Sequence, residues 1–220
     1  VVREVVGASH RDLARVRELV DAQPALARAT WDWGYGDWET ALGAASHVGN
    51  RDIAEYLISM GARPDIFSAA MLGQLDVVRR FIALSPGIQR TRGPHGITLL
   101  SHARAGGERA KGVLDYLTTI EGADDRPALQ PLAPADRDRL VGSYRIGAGD
   151  REQLDVTASR EMLTIGRPGG SPNRLQHLGG LAFYPAGAEA VRIRFDGEGA
   201  QLALTIVDGP LTIRGERVAG

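Results

Sequence analysis

The sequence predicts an α plus β chain of two domains, a helical half built from repeated units followed by an antiparallel β half. Three observations predict it. Apolar residues recur at helical spacing up to about residue 122, and the segment from Ala123 to Pro134 then holds three Pro and two Asp with no periodicity. Beyond it apolar residues alternate at period 2, the mark of half-buried strands. The resulting division is 1–122, a linker over 123–135, and a β domain over 136–220. A chain of 220 residues is long enough for each half to bury a core.

The helical units follow in order. Val5 to Asp12 precedes Leu13, Val16, Leu19 and Val20 at helical spacing. Thr40 to Gly49 precedes Ile53, Tyr56, Leu57 and Met60. Phe67 to Gly73 precedes Val77, Val78, Phe81 and Ile82, and Ile97 to Gly106 precedes Val113, Leu114 and Leu117. Thr40-Ala-Leu-Gly-Ala-Ala-Ser-His-Val-Gly49 resembles an ankyrin repeat, with Ala41, Gly43 and Ser46 replacing the usual Pro, His and second Ala. The other three units are weaker copies. The equivalent turn positions Asp12, Gly49, Gly73 and Gly106 are 37, 24 and 33 residues apart, against an ankyrin period of about 33. The resemblance implies a short α-solenoid of about four ankyrin repeats, enough stacked units for a continuous core.

In the second half Leu154 and Val156 alternate with Asp155 and Thr157, and Val191, Ile193 and Phe195 alternate with Arg192 and Arg194. Leu202, Leu204 and Ile206, then Leu211 and Ile213, continue the pattern. Turn signals lie at Gly147–Asp150, Gly166–Pro172, Pro185–Gly187, Asp196-Gly197 and Asp208–Pro210. Six to eight strands are expected, forming a curled antiparallel sheet or a small barrel. Leu140-Val-Gly-Ser-Tyr144, Phe183-Tyr-Pro185 and Val191–Gly197 resemble the small β domain appended to bacterial serine hydrolases and peptidases. That resemblance covers about 136–218 and implies a shape without an activity.

Composition excludes several function classes. The formal net charge is −1, and all but one of the 26 basic residues are Arg, spread along the chain. No basic stripe marks a nucleic-acid site. The absence of Cys removes thiolate nucleophiles, disulfides and Cys-based metal sites. No apolar run is long enough to span a membrane. The chain starts at Val1 without Met, which fits removal of a leading segment. The cytoplasm is the favoured compartment, with the periplasm or secretion open if a signal was removed.

The densest chemistry lies in Trp31-Asp-Trp-Gly-Tyr-Gly-Asp-Trp-Glu39, where an ankyrin finger would project. Trp31, Trp33, Tyr35 and Trp38 supply large, low-entropy contact area, and Asp32, Asp37 and Glu39 make the segment acidic. Its aromatics read first as a staple onto neighbouring helices or the β domain, next as a recognition surface, and last as the wall of a catalytic cluster. The run from Trp31 to His47 is similar to one found in a set of bacterial ankyrin-repeat proteins, which again implies fold and not function. His10 and His47 occupy the same repeat position and should lie within roughly 10 Å of each other. With Asp37 or Glu39 they would form a minimal metal set. A His at a helix C-terminus also serves simply to bond free carbonyls, and on that ground no metal and no cofactor are expected. His102 replaces a small residue and needs a buried partner, Ser101 or a finger residue. His95 sits in a turn beside Arg90 and Arg92, where an anion could bind. Arg192 and Arg194 read as a solvated strand face.

No nucleophile elbow, phosphate loop, dinucleotide fingerprint or His-Glu-x-x-His motif occurs. The expected function is therefore a binding module that presents Trp31, Asp32, Trp33, Tyr35, Asp37, Trp38, Glu39, His47 and His95 to a protein partner. The alternative is a small-molecule site or enzyme at the domain junction, with Asp37, Glu39, His47 and His102 as acid–base groups.

Overall fold

The computed structural model describes residues 1–149, 152–159 and 161–218. Asp150, at the end of one predicted turn, lies outside the described residues. The chain divides into two units, one of residues 1–32 and 37–126 and the other of residues 33–36 and 127–220.

The first unit contains α1 (Val2–Ala8), α2 (Leu13–Ala22), a 3-10 turn at Pro24–Arg28, and a ribbon of β1 (Thr30–Asp32) and β2 (Trp38–Thr40). It continues with α3 (Ala41–His47), α4 (Arg51–Ser59), α5 (Ile66–Met71), α6 (Leu75–Leu84), α7 (Leu99–Ala105) and α8 (Lys111–Thr118). Side-chain caps start α2, α3, α4, α5 and α7. The Thr40 hydroxyl accepts the Gly43 N–H at 2.8 Å, and Asp65 and Ser68 form a capping box on α5. Each such cap satisfies a backbone donor the helix cannot. Consecutive helices pack in pairs, and α1, α3, α5 and α7 also contact one another in turn. Ile66, Ala70, Val78, Leu99, Val113 and Leu117 share one core. Gly49 has φ +77°, and a Cβ there would lie 2.1 Å from the Ala105 carbonyl oxygen, so only glycine fits this turn.

The second unit adds α9 (Pro134–Leu140) and eight strands: β3 (Gly142–Arg145), β4 (Gln153–Ser159), β5 (Met162–Gly166), β6 (Asn173–Gly179), β7 (Ala182–Pro185), β8 (Arg192–Asp196), β9 (Ala203–Asp208) and β10 (Leu211–Arg217). Each strand pairs antiparallel with the next, and β10 returns to pair with β3, closing a barrel. The alternation works as period 2 dictates. Leu154, Val156, Leu163, Ile165, Ile193, Phe195, Leu204 and Ile206 are buried in the barrel core, while Arg192 and Arg194 are exposed. The Tyr144 hydroxyl donates to the Leu140 carbonyl at 2.8 Å, which joins α9 to the first strand.

The predicted fold class, a short α-solenoid of about four ankyrin repeats followed by an antiparallel sheet or small barrel, is corrected by this architecture. The described residues form nine α-helices, a two-stranded sheet and a closed eight-stranded antiparallel barrel. A solenoid grows by open, one-dimensional stacking of equal units. Here the connections between helix pairs are unequal, and a barrel closed on itself is no solenoid. The predicted linker also differs in detail: Ala123 is buried in the helical core, and α9 begins at Pro134. No helix among the described residues is long and apolar enough to cross a membrane.

Candidate metal centre

In the first unit, four side chains converge from well-separated points of the sequence. Period 2 along β2 turns Trp38 outward, 62% exposed, and Glu39 inward, fully buried. Glu39 pairs across the ribbon with Trp31. His47 is the last residue of α3, whose other six residues are all buried. His10 follows α1 in a turn. His95 lies in the 3-10 turn Pro94–Gly96 with φ +58°, a left-handed conformation that His tolerates better than most residues.

The Nε2 atom of His47 lies 2.9 Å from Glu39 Oε1 and 3.1 Å from His10 Nε2. His95 Nε2 and His10 Nε2 lie 3.3 and 3.6 Å from the same Glu39 oxygen. One donor atom from each of the four residues falls within 4.8 Å of the others. Asp37, 3% exposed, stands behind His95. Its carboxylate accepts the His95 backbone N–H at 2.8 Å and the Nδ1–H at 2.7 Å. His10 donates its Nδ1–H to the Gly7 carbonyl at 3.1 Å. These outer bonds occupy the Nδ1 side of His10 and His95, so that once an Nε2 proton is displaced its lone pair faces Glu39.

An ion about 2.0–2.1 Å from each donor needs tetrahedral donors about 3.3 Å apart; the four separations above bracket that value, while the set as a whole spreads to 4.8 Å, so the donors must draw together to close on an ion. Without an ion, a protonated His95 pairs with Glu39, and a single His47 Nε2–H serves either Glu39 or His10. Burial works against the Glu39 charge, but hydrogen bonds from His47 and His95 outweigh it and hold the carboxyl down to about 2. Burial likewise opposes charge on His95, and its bonds to Asp37 and Glu39 overturn that, pushing it up to about 10. Two carboxylates and three imidazoles thus make a site that favours positive charge. With the imidazoles neutral, a divalent ion balances Asp37 and Glu39.

Of the residues singled out in the sequence, Asp37, Glu39, His47 and His95 come together here with His10. His102 stands outside the group. It is buried, donates Nδ1–H to the Thr98 carbonyl at 2.9 Å rather than to Ser101, and has no partner on Nε2. Burial pushes its pKa down to about 4, against the raising effect of that backbone bond. Trp31 and Asp32 are half-buried on β1, and Trp33 and Tyr35 belong to the second unit. The arginines beside His95 are engaged. Arg90 pairs with Glu121 and Asp125, and Arg92 donates to the carbonyls of Gly96 and Asp125, which leaves the anion reading of that turn without support. Sequence reasoning brought His10 and His47 together through their repeat position and placed the two acids nearby. It missed that His95 completes the set, and the only signal was a basic turn opposite an acidic one.

No family model matches the chain, and neither a curated protein nor a solved structure matches it.

Proposed function

We propose that the first unit binds a divalent transition-metal ion through His10 Nε2, His47 Nε2, His95 Nε2 and a Glu39 oxygen, with Asp37 as the outer partner of His95. The observation that carries this reading is the convergence of four donor atoms within 4.8 Å. The expectation of no metal gives way to this proposal because His95 joins the His10–His47 pair. Three imidazoles and one carboxylate suit zinc, iron, nickel or copper better than calcium or magnesium. Glu39 is fully buried, while the His10 and His95 side chains are 26% and 33% exposed. The ion would therefore face solvent on the histidine side, where a water can complete its shell.

The test is calorimetric titration of metal-depleted full-length chain with zinc, and with cobalt followed by visible absorption. One equivalent should bind, and Glu39→Gln and His47→Ala should each abolish it at equimolar metal. A wild-type chain that takes up neither ion sinks the proposal.

A second reading, a protein partner, rests on Trp38. Its exposed indole is the large apolar side chain that the acidic segment leaves to solvent, the type of residue that dominates interface energies. Affinity capture comparing wild type with the Trp31→Ala/Trp38→Ala pair tests it. An unchanged set of captured proteins ends this reading.

A further inference from the structure

The second unit holds a cavity of about 330 Å³, at the lower end of the usual ligand-site range of about 300–1,000 Å³. Its wall is apolar, built from Ile146, Leu154, Val191, Ile206 and Ile213. Tyr35 enters the same wall. Three features of Tyr35 and its neighbours are costly to the fold. Its φ is +59°, a left-handed conformation that a bulky residue rarely adopts. It is flanked by Gly34 and Gly36 at φ +119° and +81°, and a Cβ on Gly34 would lie 2.8 Å from Asn173 Oδ1, so the segment fits only with glycine there. Its ring packs against the barrel core, yet its hydroxyl is buried with no hydrogen-bond partner. An unpaired buried hydroxyl is destabilising, and strained, unsatisfied groups concentrate at ligand sites.

We propose that this cavity binds a small neutral amphipathic molecule, its apolar body against the barrel wall and a carbonyl or ether oxygen accepting the Tyr35 hydroxyl proton. The cavity rim carries both Arg167 and Asp208, charges of opposite sign, so neither an anion nor a cation is favoured there. Burial pushes the Tyr35 hydroxyl up to about 12, despite the opposing charge of Arg167, so the phenol stays a donor at neutral pH. At about 30 Å³ of liquid volume per water, the cavity takes a molecule on the order of ten non-hydrogen atoms. This cavity belongs to the second unit and the metal ligands to the first, and it stands whether or not the metal reading does.

The probe is octan-2-one, titrated into ¹⁵N-labelled full-length chain and followed by amide chemical shifts. Saturable shifts are expected at Tyr35, Leu154 and Ile206. Tyr35→Phe keeps the ring and should weaken binding about tenfold, the loss of one hydrogen bond. Leu211→Trp, at a half-exposed position on the cavity rim, should fill the opening and remove binding, with unchanged spectral dispersion showing that the barrel remains folded. Absence of saturable shifts in wild type, equal affinity in Tyr35→Phe, or undiminished binding in a folded Leu211→Trp chain would each overturn the proposal.

Discussion

His95 and His102 lie seven positions apart, are both largely withdrawn from solvent, and titrate in opposite directions. Burial lowers the pKa of each. Around His95 it is overruled by Asp37 and Glu39. Around His102 the Thr98 carbonyl and the weaker pull of Asp65 do not overcome it, and the ring stays neutral beside Phe67, 4.8 Å away. The same side chain thus becomes part of a cation site or a neutral core residue according to whether carboxylates bond to it directly. The contrast also separates two kinds of functional signal. The Glu39 carboxylate gathers three imidazole nitrogens around one oxygen, whereas His102 Nε2 and the Tyr35 hydroxyl lack any partner.

The largest test of this contrast is acid titration of stability. His102 titrates near 4 in the folded chain against 6.5 when exposed. Because the folded value is the lower one, the unfolded chain takes up the proton first as pH falls. Stability should therefore drop between about pH 6.5 and 4, by roughly 3 kcal/mol in total, and level off below. Urea melts of wild type and His102→Gln across that range measure it. An equal acid slope in the two proteins would mean that His102 is not held neutral.

A smaller effect falls on the opposite side of the contrast. Asp37→Asn leaves every metal ligand in place but removes the charge that orients His95. Zinc affinity should fall about 10- to 100-fold, the usual cost of losing an outer partner, while stoichiometry stays at one. Unchanged affinity would show that the Asp37–His95 bond does not tune the centre.

The smallest effect concerns the unpartnered hydroxyl. Without ligand, Tyr35→Phe should stabilise the chain by about 1 kcal/mol, because it removes a buried group that gains nothing from burial. Destabilisation in chemical denaturation would show that the hydroxyl is satisfied after all.

Much of the candidate site was legible in residue order. His10 and His47 share a position in two similar helical units, and Asp37 and Glu39 precede the helix that carries His47. His95 was not legible as a ligand, because its place depends on a left-handed turn held by an Asp 58 positions earlier. In the β half, alternation marked where strands run but not their closure, which depends on pairing between β3 and β10, the first and last strands. The solenoid expectation failed for a related reason. A local pattern of small residues and turns describes one helix pair well and says little about how many equal copies follow it. Tyr35 reads from sequence as part of a finger stapled onto neighbouring helices or the β domain, and residue order does not choose between them; Trp33–Gly36 groups with the barrel.

Because β10 pairs with both β9 and β3, the ring of eight strands has no terminal strand. An open sheet presents a row of unpaired N–H and C=O groups that another chain can extend. This barrel offers no such row. The open-edged ribbon of β1 and β2 is only three residues long on each side, a poor template for growth. Crowded solutions of this chain should accordingly resist fibril formation by strand addition, a protection that comes from topology and needs no charged gatekeepers.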